Sequence, residues 1–155
     1  MGIEAHFLRV RSRDLDNLLA CNSADRVTSV LQSSNIESPD EIREFNLGKM
    51  FGSVNSLLAP HFDIVEGGTV LVEDWVIGSL RFLRPKEVRK LAEAMSIVSE
   101  MELQQNFNTR EGIGNRTHSD EEEQWFRSTL YFYNRLRDFL KDAAQAGDAV
   151  LLWLA

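Results

Sequence analysis

A single cysteine, Cys21, in a chain of 155 residues excludes an intramolecular disulfide, and with it the cross-linked scaffolds on which small secreted domains depend. The longest apolar run, AVLLWLA at 149–155, falls far short of the roughly 20 residues a membrane-spanning helix needs. The opening MGIEAHFLRV lacks the charged segment, apolar segment and small-residue cleavage site of a secretory signal. Gly2 is present but no Ser or Thr stands at position six, so the myristoylation pattern fails. These absences lead to the expectation of a cytoplasmic protein without a membrane partner. Basic charge is also short: 17 Lys and Arg stand against 24 Asp and Glu, a formal charge of −7. Phosphate backbones are bound by basic surfaces, so no nucleic-acid partner is expected, whereas a basic protein partner suits this balance.

Chemistry-bearing motifs are missing as well. The histidines His6, His61 and His118 have no i, i+4 pairing, and neither HExxH nor a Cys/His cluster occurs. THSDEEE at 117–123 sets a histidine beside four carboxylates, but acids in a first helical turn complement the helix dipole, and no metal is expected there. GxSxG, Walker A and GxGxxG patterns are absent, so no cofactor and no catalytic residue is assigned. Glu73 and Asp74 are adjacent, and adjacent strand residues point to opposite faces, a poor arrangement for an acid/base pair. Cys21 lies near a helix end with no neighbouring base in the sequence and reads as a structural thiol.

What is present is a globular composition, 43% hydrophobic and 26% charged, at the length of one domain, 1–155. Residues 3–10 read as a strand, and short helices follow around Leu15, Leu18 and Leu19 and around Val27, Val30 and Leu31. Ser38-Pro39-Asp40-Glu41 has the form of a helix start. Leu47, Met50, Phe51, Val54, Leu57 and Leu58 predict one apolar face of the helix that follows, ended by Pro60. Gly67-Gly68 predicts a turn before two strands broken at Gly78, the second with Leu80 and Phe82 on one face and Arg81 and Leu83 on the other. Pro85 opens a helix with Lys86, Arg89 and Lys90 on its wet side. Ser99 and Ser119 each stand three residues before a glutamate, as in capping boxes. A long helix over about 120–146 ends at Gly147, and AVLLWLA reads as an interior strand apolar on both faces. The expected fold is α+β: a small mixed sheet of about four strands with helices packed on it, and the C-terminal strand inside. Arg81, in a strand near apolar neighbours, is expected to pair with Asp74 or Glu73.

Three stretches, FNLGKMFGSVNSLLA at 45–59, GSLRFLRPKEVRKLAEAM at 78–95 and YNRLRDFLKDAAQAGDAVLLWLA at 133–155, together with the MGIEAHFLRV start, resemble the YfbM-like family of bacterial proteins, a domain of unknown function. The resemblance implies an α+β domain of the bacterial cytoplasm and no particular reaction. It matches Lys49, Arg81 and Gly67-Gly68, and it places Asn55 where histidine is usual and Phe51 where tryptophan is usual. Asn55 cannot titrate, so histidine chemistry at that position is absent here. Arg84 replaces a hydroxyl cap before Pro85. Lys49, Asn55, Arg81 and Arg84 are therefore the candidate binding residues. Three readings follow. The first is a non-catalytic protein acting by protein–protein contact, of immunity type toward a basic partner. The second is a small-molecule-binding or weakly enzymatic domain with a pocket at Lys49, Asn55 and Arg81. The third is a structural homo-oligomer. Convergence of those residues in one cavity would favour the second reading, and an acidic surface with exposed apolar groups the first.

Overall fold

Residues 149–154 carry apolar side chains on both faces, so a strand made of them needs cover on both sides. The computed structural model describes residues 2–21, 23–34, 43–59 and 61–155, and it supplies that cover. The strands β1 (Ala5–Val10), β2 (Glu44–Gly48), β3 (Thr69–Val72), β4 (Ile77–Leu83) and β5 (Ala149–Leu154) form one sheet in the order β2-β1-β5-β4-β3. Every pairing is antiparallel. β5 lies at the centre, and the sheet has five antiparallel strands where a mixed sheet of about four was expected. The additional strand is β2. Its residues were expected to begin a helix, but Phe45 and Leu47 are buried while Glu44 and Asn46 are exposed, the period of a strand. Gly48 then turns the chain at φ 57°. The helix after it is only α3 (Phe51–Leu58). The helix start read at Ser38–Glu41 lies outside the described residues.

The helices α1 (Ser12–Leu19), α2 (Ala24–Ser34), α4 (Pro85–Ile97), α5 (Glu100–Arg110) and α6 (Asp120–Ala146) complete the fold. Alternation along the strands divides the core into halves. Leu8, Leu80, Phe82, Ala149 and Leu151 meet Leu15, Leu18 and Val27 of α1 and α2. Phe7, Phe45, Leu83, Val150 and Leu152 meet α3–α6, with Phe126, Tyr133, Leu136 and Leu140 of α6 at the centre. The Tyr133 hydroxyl donates to the Met95 carbonyl at 3.1 Å, tying α6 to α4. Burial pushes its pKa up to about 12. Both ends of α6 are closed locally: Ser119 and Glu122 form a capping box, and Gly147 ends the helix at φ 72°. Ser12 does not cap α1, although it stands at that helix's start. Arg11 holds the N-cap position without a side-chain capping bond, and the Ser12 Oγ donates to the Gly147 carbonyl.

The central place of β5 sets an expected outcome. Leu151 is fully buried between β1 and β4. Leu151→Ala should cost about 2–5 kcal/mol by urea unfolding. Trp153→Ala should cost less, because its ring is only half-buried and stacks on His6 at the strand's end. Equal costs would show that burial along β5 does not grade stability.

Candidate functional site

The alternation of β4 places Arg81 on the same face as Leu83, toward α3–α6. Its cross-strand neighbours are Leu152 on β5 and Val70 on β3, so the guanidinium starts from an apolar setting and is only 4% exposed. A buried cation needs its donors satisfied. The expected partners Asp74 and Glu73 are exposed in the β3–β4 turn and do not serve. Backbone carbonyls do: Nη1 donates to Gly67 O at 2.6 Å and Nη2 to Ile64 O at 2.5 Å. Desolvation lowers the Arg81 pKa from its ordinary value, and Asp63 and Glu66 partly offset this. It remains a cation, because arginine starts so high.

Asn55 reaches the same loop from α3. Its Oδ1 accepts from the Ile64 amide at 2.7 Å and its Nδ2 donates to Asp63 Oδ1 at 3.2 Å. Asp63 Oδ1 also accepts from the Val65 amide at 2.8 Å. Ile64 is thus held by its N–H from Asn55 and by its C=O from Arg81. The glycine pair has its reason here. A Cβ on Gly67 would come 2.4 Å from the Asp63 carbonyl oxygen, and Gly68, at φ 87°, lies against the Phe82 carbonyl.

Two of the four candidate residues therefore converge, but on the chain's own backbone. Lys49 stands apart in the exposed turn after β2, its stem beside Gly2. Arg84 is exposed at the start of α4, makes no capping bond, and lies over the Phe82 ring at 5.3 Å. A cavity of about 370 Å³ opens next to the clamped loop between His61, Phe62, Leu83, Glu87, Lys90 and Leu91, and none of the four lines it.

Other polar groupings lie away from the four candidate residues. Arg9 and Asp148, separated by 139 residues, form a buried pair in which Nε and Nη2 both donate to Oδ2, at 3.1 and 3.0 Å. His118 is buried against Phe107 and Phe126, with Nδ1 2.8 Å from Glu123 Oε2 and Nε2 2.5 Å from Asn108 Oδ1. It pins the 111–119 loop to α5 and α6. Hydrogen bonds from His118, then Arg127, lower the Glu123 pKa. Arg116 grips Glu122 through both oxygens, at 2.8 and 2.7 Å. Among the described residues no group of three His, Cys, Asp or Glu is placed to hold a metal ion, and no helix is long and apolar enough to cross a membrane.

The family described as "Domain of unknown function (DUF1877)" matches residues 1–153. Among solved structures, the chain is similar to that of YfbM from Escherichia coli, itself a protein of unknown function. The TM-score is 0.65 and the identity 16%, covering 98% of this chain and 99% of that one. At that identity the likeness speaks for the fold. No curated protein matches.

The Glu122 carboxyl gives a pH dependence of known sign. Its pKa falls from 4.5 to about 2, chiefly through the Arg116 hydrogen bond and then the Ser119 amide. A depressed acid contributes stability that is present above its unfolded value and lost as pH falls through the folded one. Stability measured by urea unfolding should therefore fall between pH 4.5 and about 2, and Glu122→Gln should flatten that limb. An unchanged slope in the variant would remove Glu122 from the acid transition.

Proposed function

The chain belongs to the DUF1877 family, and from that premise we propose that it is a non-catalytic domain acting by protein–protein contact through the acidic end built from α5 and the start of α6. One observation carries this reading: charge and exposed apolar surface coincide there. Residues 100–127 hold seven carboxylates against three arginines in a chain whose whole surplus is −7. Glu102, Glu111, Asp120 and Glu121 are exposed, and among the described residues they take part in no ion pair. On α5 itself Met101 is 70% exposed, and at the end of α4, just before that helix, Ile97 is 82% exposed on a groove it shares with Lys141, Ala144 and Gln145. Apolar anchors ringed by charge of one sign fit a partner with a basic face, the charges steering encounter and the apolar groups holding the contact.

An immunity-type role, in which a cytoplasmic acidic domain neutralises a basic toxic protein, suits this surface. The small-molecule reading loses its main support, because Asn55 and Arg81 are engaged with the loop and Lys49 is elsewhere.

The test is capture from a host lysate followed by mass spectrometry, comparing the natural chain with Ile97→Ala/Met101→Ala and with Asp120→Lys/Glu121→Lys. Basic proteins should be retained by the natural chain and bound at least about tenfold more weakly by the first variant. With the second, binding should lose its salt dependence. Identical retention by all three would refute the proposed surface.

A further inference from the structure

Arg81 and Asn55 hold the 61–68 loop at Ile64 and Gly67. The loop is fixed there as a wall, and between it and α4 the cavity of about 370 Å³ stays open. Leu83 and Leu91, both core residues, and Phe62 give it an apolar lining. Gly68 lines it without a side chain, since a Cβ there would meet the Phe82 carbonyl at 2.8 Å. The volume lies near the lower end of the roughly 300–1,000 Å³ of small-molecule sites and suits a ligand of amino-acid size.

Three polar side chains stand around this apolar hollow: His61 from the loop, and Glu87 and Lys90 from α4. Among the described residues their side chains take part in no hydrogen bond or ion pair. Glu87 is half-buried in the first turn of α4, where an acid complements the helix dipole, but no side-chain donor meets its carboxylate. Glu87 and Lys90 are three residues apart, neighbours on one helix face. An anion and a cation are thus presented side by side at the edge of an apolar floor.

We propose that this cavity binds a free α-amino acid with an apolar side chain. The ligand's ammonium donates to Glu87, its carboxylate accepts from Lys90 and from the His61 imidazole, and its side chain lies on Leu83 and Leu91 beside Phe62. A zwitterion matches both charges. A simple carboxylic acid would meet Glu87, and a simple amine Lys90, as a like charge. The site shares no residue with the acidic contact surface and does not depend on it.

Isothermal calorimetry of the full chain with L-leucine and L-phenylalanine, each beside its N-acetyl and amide derivatives, tests the proposal. Saturable binding of at least one of the two amino acids is expected. Its N-acetyl derivative, which lacks the ammonium, and its amide, which lacks the carboxylate, should each bind at least about tenfold more weakly. Glu87→Gln should weaken the amino acid to a similar degree and leave the N-acetyl derivative unchanged. Lys90→Gln should weaken it likewise and leave the amide unchanged. Neither side chain holds the fold together, so urea midpoints of both variants should match that of the natural chain. Absence of saturable binding for both amino acids, or unchanged affinity in both variants, would overturn the site.

Discussion

A guanidinium in the sheet's interior, with one arm on each of two backbone carbonyls, is the interaction on which the arrangement of the 61–68 loop depends. Arg81 faces the larger half of the core, where a cation is costly unless its donors are met. Two carbonyls meet them only if the loop runs close over β4. That closeness in turn demands a glycine at 67, where any side chain would strike the Asp63 carbonyl, and an amide-bearing residue at 55 to take the Ile64 N–H. Lysine would not replace Arg81, since a point charge cannot span two acceptors held this way. Arg81 and the glycine pair, by which the chain resembles its family, and Asn55, where it departs from it, are thus bound to one loop by architecture.

With those groups engaged, the surface proposed for partner contact is the acidic end of α6. Acids at the start and arginines beyond the end both complement the helix macrodipole, which accounts for the polarity in general. It does not account for the particulars. Met101 stands exposed among the carboxylates of α5, which the helix dipole of α6 does not explain.

Much of the fold was legible in the sequence. A continuous apolar run marked β5, Pro85 marked the start of α4, and Ser119, Glu122 and Gly147 marked both ends of α6. β2 was missed because its alternating Phe45 and Leu47 run directly into the helical spacing of Val54, Leu57 and Leu58, so that one period masked the other. The special standing of Arg81 could be read from its strand position, but its partners could not. They are carbonyl oxygens, which every residue has, and no side-chain pattern announces them. The Arg9–Asp148 pair was hidden for another reason: its members stand 139 residues apart, and only the pairing of β1 with β5 brings them together.

The claim that Arg81 is architectural is tested most directly by urea midpoints of Arg81→Ala, Arg81→Lys and Arg89→Ala measured together. Removing the guanidinium leaves two carbonyls without their charged donor, so Arg81→Ala should cost about 2–4 kcal/mol. Arg81→Lys should recover only a fraction of that, and Arg89→Ala, exposed on α4, should cost under about 0.5 kcal/mol. Equal, small shifts at 81 and 89 would contradict the account.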